Sequence, residues 1–261
     1  PNVTSVGIGH KQIAGVKKPQ LAIQFTVERK AAPEALEALG TRAIPEAIDI
    51  GGVRVPTDVI ERSYKPTYTE VALEAKGRRK ARADVIEPGI SVGNVFTSAG
   101  TIGAFVRDRA TRAVLLLSNW HVLHGPRGFI GVDVVQPGRH DDNRVEFNKI
   151  GTLLRSHLGP AGDCALSTVS GRALSGKVLE LDVEVSSIGD PEIGDAVIKS
   201  GRTTAVTRGK VVRIEVNTKM DYGAGVSAVV GGFEIGVDPA APAPDGEISR
   251  GGDSGAAWLA L

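Results

Sequence analysis

Three short segments carry residues that could do covalent chemistry together. His121 lies in Ser118-Asn119-Trp120-His121-Val122, Asp163 in Ala161-Gly162-Asp163-Cys164-Ala165-Leu166, and Ser254 in Gly252-Asp253-Ser254-Gly255. A serine hydroxyl is a weak nucleophile at neutral pH. It needs a base within hydrogen-bond reach, and the base needs a carboxylate to hold its tautomer and stabilise its cation. Ser254, His121 and Asp163 can fill these roles, and the chemistry would be acyl transfer. The glycines let the backbone turn so that the amides of Gly252 and Ser254 converge on one oxygen, as an oxyanion hole requires. Taken singly, each segment has a plainer reading: a tight turn, a core histidine, a cap. Their joint occurrence favours the catalytic one.

The elements that would position these residues are short strands. The apolar run 113–117 delivers His121 to a strand end, Asp163 precedes the apolar Cys164-Ala165-Leu166, and Ser254 opens the stretch 255–261. Further apolar runs at 103–106, 150–154, 183–185, 196–198, 210–216 and 227–230 alternate with turn signals such as Pro88-Gly89 and Pro137-Gly138. This pattern predicts a β-barrel or sandwich over 86–261. Residues 1–85 read differently, as a small α/β region and linker. Strands are predicted over 4–10, 21–28 and 53–60, a helix over 33–39 opened by Pro33, and then a basic run over 76–82. That run reads as a solvated linker, with a processing site or a substrate-mimicking segment as the alternative.

The 261 residues include 33 glycines and only 4% aromatics, which suits short strands and tight turns over a helical bundle. The net charge of +1 gives no reason to expect nucleic acid or an anionic membrane as a partner. Cys164 is the sole cysteine, so no intrachain disulfide can form. With no signal peptide or long uncharged apolar stretch in view, a cytoplasmic setting is expected. Cys164 reads as a buried structural thiol. A metal reading could gather His121, His124, His140, Asp141, Asp142 and His157, but no cysteine joins His121-X-X-His124 and the acid pair lies in a turn. No metal and no organic cofactor are expected.

The segment Val197-Ile198-Lys199-Ser200-Gly201-Arg202-Thr203-Thr204 resembles the Ser-Gly-Arg-Thr-Thr stretch of bacterial chymotrypsin-like serine peptidases such as α-lytic protease and the streptogrisins. With the His, Asp, Ser order, the resemblance covers about 86–261. It implies two antiparallel β-barrels, with His121 and Asp163 on the first, Ser254 on the second, and an endopeptidase site between them working through an acyl-enzyme. Where those relatives carry a cysteine pair, this chain has Ile198 and Arg208, in keeping with a reducing compartment. By the same resemblance Arg202 would pair with Asp253 and support the nucleophile loop. Ile248, Ser249 and Arg250 would belong to the substrate pocket, and an apolar Ile248 at its base would favour a small or medium apolar P1 residue. Leu261 comes about one strand after Ser254, so a second barrel lacking its last strands is expected. The region 1–85 resembles, less specifically, the N-terminal part of larger intracellular trypsin-like proteins; packing as a plain extension is its default reading, with oligomerisation, binding of a partner or occlusion of the cleft as alternatives. The contrasting reading is a catalytically silent binding or scaffold protein of the same fold, or a zymogen-like form.

Overall fold

The computed structural model describes residues 3–38, 40–64 and 77–261. The expectation of a mainly β chain holds, and the strands fall into two large sheets. The first has the spatial order Gly100–Thr101, Ser91–Asn94, Asp133–Val135, Lys149–Gly159, Gly162–Ser167, Val114–Ser118 and Ala104–Arg107, with antiparallel neighbours throughout. Its inner face is apolar: Ile86, Val92, Ile102, Leu116, Val134 and Ile150 are all fully buried in one cluster. Removing side chains of this size from water stabilises by roughly 1.5–3 kcal/mol each, so this half has an apolar driving force of its own.

The second sheet is centred on the long strand Ala205–Asp221. The beginning of this strand pairs with Ala196–Gly201, which in turn pairs with Trp258–Ala260. Its later part pairs on one side with Ser227–Val237 and on the other with Val3–Ile13, placing Ser5 opposite Thr218 and Gly9 opposite Arg213. The sheet continues through Val16–Val27, the parallel strand Val53–Glu61 and finally Ala47–Ile50. The N-terminal strands therefore share a sheet with the segment that leads to Ser254.

The expected strands 4–10, 21–28 and 53–60 are present in slightly longer form, with Ala47–Ile50 in addition. The helix Pro33–Ala38 also forms, although Leu39 lies outside the described residues. The run 183–185 does not make a strand. Glu184 forms only an isolated bridge with Lys177, because Glu180 and Asp182 just before it take positive φ (67° and 55°) and bend the chain away.

The basic run is not a solvated linker. Arg78–Lys80 form a single tight turn with Arg79 and Lys80 buried. Arg79 donates to Gly89 O (3.1 Å), Ser200 Oγ (2.8 Å) and Gly201 O (3.0 Å) and pairs with Glu180 at 2.8 Å. It thus pins residues 77–82 between the two halves. Lys76 lies outside the described residues.

Candidate active site

Strand pairing brings the histidine and the first carboxylate together. Val114–Ser118 lies beside Gly162–Ser167 with Ser118 opposite Ala165, so the helix Trp120–Leu123, which starts two residues on, sits next to Asp163. His121 Nδ1 is 2.5 Å from Asp163 Oδ2, and both side chains are nearly buried. Asp163 Oδ1 accepts from the amides of Trp120 (2.5 Å) and His121 (3.3 Å), and Asn119 Nδ2 donates to the Asp163 carbonyl (2.6 Å). The Tyr222 hydroxyl adds a donor to Oδ2 at 3.0 Å. Burial pushes the Asp163 carboxyl upward, but the hydrogen bond and charge of His121 and the Tyr222 hydroxyl outweigh it and leave the group below the usual carboxylate range. An ionised Asp163 only accepts, so Nδ1 of His121 carries a proton toward it. Cys164, half-buried next door, has its thiol pushed up by burial and then by the Asp163 charge, which makes it a poor nucleophile.

The serine segment and the histidine segment both approach Gly100. A methyl group built on Gly100 would lie 2.7 Å from Val122 Cγ1 and 2.9 Å from the carbonyl oxygen of Ser254. The residue after His121 and the backbone of Ser254 therefore meet at one glycine. Thr101 N donates to Ser254 O at 2.7 Å, and Ser118 Oγ donates to Thr101 O at 2.7 Å.

Three successive carbonyls of the loop before Ser254 accept hydrogen bonds. Gly251 O accepts from Thr203 Oγ1 (2.7 Å), Gly252 O from Thr101 Oγ1 (2.8 Å) and Asp253 O from Ala256 N (3.0 Å). In a planar trans peptide the N–H points opposite to the C=O, so the amides of Gly252 and Ser254 face away from the groups that donate to Gly251 O and Asp253 O. Gly252 and Gly255 reach this path at φ +98° and +94°, where a side chain is strained.

The expected Arg202–Asp253 pair is replaced by two other pairs. Asp253 is matched by Lys199, whose Nζ lies 3.4 Å from Oδ2 with both side chains buried. The amides of Thr203 (2.8 Å), Thr204 (3.1 Å) and Arg250 (2.9 Å) and the Thr204 hydroxyl (2.7 Å) also donate to Asp253. Arg202 is buried too, but its guanidinium forks onto Asp141, with Nε 2.7 Å from Oδ2 and a second contact from NH2 to Oδ1. The reason lies in strand alternation: Val197, Lys199 and Gly201 share the inward face, and Gly201 abuts the Asp253 carboxylate. Arg202, one residue on, aims at the first half and still supports the loop through Thr203 Oγ1 (2.8 Å). Burial pulls the Lys199 ammonium below the ordinary lysine range, against the opposing pull of Asp253.

Lys199 and Tyr222 are thus the two site residues that the sequence reading did not single out. The alternation around Lys199 could have revealed the first. Tyr222 sits at the tip of the 205–237 hairpin, where its amide donates to Val226 O, and no local signal links it to Asp163.

The residues expected in the substrate pocket have the following surroundings. Ile248 lines a cavity between the 205–237 hairpin and the N-terminal strands, and its carbonyl accepts from Thr207 Oγ1 at 2.8 Å. Ser249 is exposed, and Arg250 pairs with Asp245 at 2.6 Å and with Glu247. The residues of the metal reading go elsewhere. His124 has Ser156 Oγ at 2.8 Å from Nδ1 and Gly128 O at 3.0 Å from Nε2, Asp141 holds Arg202, and Asp142 holds Arg144. Among the described residues, no group of three or more His, Cys, Asp or Glu side chains gathers as a metal would require.

Solved structures similar to this chain include a Nocardiopsis protease (18% identity, TM-score 0.47), spanning 67% of this chain and 79% of that one. Thermobifida fusca protease A follows (20%, TM-score 0.45, 67% and 77%), as does a glutamic acid specific serine protease whose title describes a novel histidine triad in substrate binding (22%, TM-score 0.47, 67% and 82%). These are chymotrypsin-like serine proteases. No protein-family model matches the chain, and no curated protein sequence matches it.

Proposed function

We propose that the chain is a serine endopeptidase that cleaves peptide bonds through an acyl-enzyme. The observation that supports this reading is the nearly buried 2.5 Å contact between His121 Nδ1 and Asp163, with Val122 and the Ser254 carbonyl both approaching Gly100. In this reading Ser254 attacks the peptide carbonyl while His121 Nε2 takes the hydroxyl proton and returns it to the leaving amine. Asp163 holds the imidazole and its positive charge, and the amides of Gly252 and Ser254 receive the oxyanion. Tyr222 tempers Asp163 as a positioning residue, and the Lys199–Asp253 pair keeps the loop in register. A peptide or protein with a small or medium apolar P1 residue is the proposed substrate, because Ile248 offers no carboxylate to a basic side chain. No metal or organic cofactor takes part in any step.

The test is labelling with a fluorophosphonate probe, which reacts with an activated serine. The chain should label and its Ser254→Ala variant should not. An intact Ser254 that stays unlabelled in the folded protein would overturn the reading in favour of a non-catalytic scaffold of this fold.

A further inference from the structure

The hairpin of Ala205–Asp221 and Ser227–Val237 belongs to the second sheet, yet its tip lies on the first half. Tyr222, the residue after the first of these strands, is 3% exposed. Its ring stands edge-on to Trp120 (centroids 5.5 Å, 72°) and packs on the imidazole of His121 (5.8 Å). Its hydroxyl donates to Asp163 Oδ2 at 3.0 Å, the oxygen that also faces His121 Nδ1. A second contact lies further back along the hairpin. A methyl group on Gly231 would fall 2.0 Å from the carbonyl oxygen of Pro160, in the turn that leads to Asp163.

The tip is fixed by its own backbone: Gly223, Ala224 and Gly225 take φ of 77°, 50° and 80°, Tyr222 N donates to Val226 O (2.8 Å) and Gly223 N to Asp221 Oδ1 (2.9 Å). Where the tip sits depends on what holds the two strands behind it, because a two-stranded ribbon is only marginally stable in water. Beyond Lys210 the strand Ala205–Asp221 no longer pairs with Ala196–Gly201. Val3–Ile13 pairs with it instead. Ser5 lies opposite Thr218 and Val6 opposite Asn217, and Thr218 Oγ1 donates to Ser5 Oγ at 3.1 Å. Thr218 precedes Tyr222 by four residues, roughly 13 Å of extended chain.

Arg213 clamps the same junction. It is 3% exposed, and its NH1 donates to Thr26 Oγ1 (3.1 Å), Tyr64 OH (2.9 Å) and Glu234 Oε2 (3.0 Å), while NH2 donates to Gln24 O (3.1 Å). One guanidinium thus ties both strands of the hairpin to Val16–Val27 and to the chain past Val53–Glu61, where Arg62 adds a pair with Glu234 Oε1. The backbone of Val3–Ile13 sits against the arginine stem: a methyl group on Gly9 would lie 2.9 Å from Arg213 Cγ. Sliding such a clamp leaves desolvated polar groups without partners, so it resists movement.

We propose that the N-terminal strands position the proposed base from a distance, by holding the 205–237 hairpin so that its tip keeps Tyr222 on Asp163. Tyr222 is then a positioning residue that acts on His121 through the carboxylate. Its hydroxyl takes a share of Oδ2, and its ring closes one side of the imidazole against rotation. The proposal rests on the reading of His121 and Asp163 as base and carboxylate, and it gives the N-terminal strands a part in that site.

The ¹⁵N shift of His121 Nδ1 is read by NMR through the carbon-bound ring protons, at one pH above the imidazole titration. The full chain, its Tyr222→Phe and Gly9→Ala variants and the double variant are compared. This readout needs no turnover, so it tests the positioning even in a chain that a fluorophosphonate does not label, and failure to label counts against the peptidase reading alone. Tyr222→Phe keeps the ring and removes only the hydroxyl. Oδ2 then serves one donor instead of two, so Nδ1 should move downfield, and labelling should slow about tenfold. Gly9→Ala disturbs the clamp in the second sheet and should move Nδ1 the same way by a smaller amount. The double variant should move no further than Tyr222→Phe. Distant sites ordinarily add, so that shortfall marks action through Tyr222. Should Gly9→Ala not fold, Ser5→Ala, which deletes only the hydroxyl that Thr218 meets, takes its place in the cycle. An Nδ1 shift or labelling rate unchanged in Tyr222→Phe, an Nδ1 shift unchanged in the folded N-terminal variant, or additive shifts in the double variant would each overturn the proposal.

Discussion

The two halves of the molecule are held together in different ways. The first sheet closes over an apolar cluster running from Ile86 to Leu179, in which burial is non-directional and any well-packed aliphatic side chain contributes. The second encloses Ser5, Gln24, Thr26, Thr57 and Arg213, and it seats the nucleophile loop on the buried pair Lys199–Asp253. Polar interiors of this kind add little net stability. They are nonetheless strict about geometry, because a missing contact leaves a desolvated group exposed to its full penalty. The groups proposed as catalytic are divided along the same line. His121 and Asp163 rest on the apolar half, while Ser254 and the oxyanion amides rest on the half that directional contacts hold. Loop geometry is therefore the more fragile part of the site, and the base pair the more robust.

The sharpest way to break this contrast is Lys199→Met. It leaves Asp253 buried without its cation and should cost about 3–5 kcal/mol, read as a lower urea midpoint, with fluorophosphonate labelling lost in the protein that remains folded. A loss below ~1 kcal/mol would show that the amides around Asp253 suffice and that the pair is not what holds the loop. Leu116→Ala, in the apolar cluster, should cost about 2–5 kcal/mol through lost burial and a cavity. Here labelling per folded molecule should be retained, because no loop contact is touched.

Gly9→Ala sharpens the comparison from the other side. Its methyl group would overlap Gln24 and press on Arg213, for a cost of about 1–3 kcal/mol. Hydrogen exchange should speed up along Ala205–Asp221 while Val114–Ser118 stays protected. Equal loss in both would mean that the halves unfold as one unit.

The smallest effect belongs to Asp108, a partly buried turn residue on the first half. The Thr111 amide and hydroxyl and the Arg155 guanidinium hold its carboxyl down at about 2. The unfolded value is near 3.9, so its contribution is fully present above about 4 and disappears as the pH falls through about 2. The melting-point difference between the chain and Arg155→Ala should follow that course, and a difference that persists below pH 2 would discount the ion pair.

The placing of the candidate residues was legible in the sequence because His121 follows the strand Val114–Ser118, Asp163 lies at the start of Gly162–Ser167 and Ser254 lies in the loop before Trp258–Ala260, positions that follow from local apolar runs and turns. His121 and Asp163 meet through the long-range pairing of Gly162–Ser167 with Val114–Ser118, which the shared motif order, not local pattern, pointed to. Lys199 was obscured by the neighbouring arginine of a recognisable motif. Only the alternation of Val197, Lys199 and Gly201 distinguishes the side chain that faces Asp253 from the one that faces Asp141. The placing of Tyr222 and of Arg213 depends on contacts between distant stretches, such as Gly9 with Arg213, and no local pattern encodes it. The run 183–185 misled because its apolar residues suit a strand while positive φ at Glu180 and Asp182 turns the backbone away.

The pairing of Ser5 with Thr218 sets an order of assembly during synthesis. Residues 86–179 can collapse on their apolar cluster as soon as they leave the ribosome. The strand Val3–Ile13, made long before, has to wait with one edge unsatisfied until Ala205–Asp221 emerges. A nascent chain in that interval presents an open β-edge, the feature that chaperones protect and that aggregation exploits. Yield in a cell will therefore depend on how quickly translation covers the stretch between these two strands.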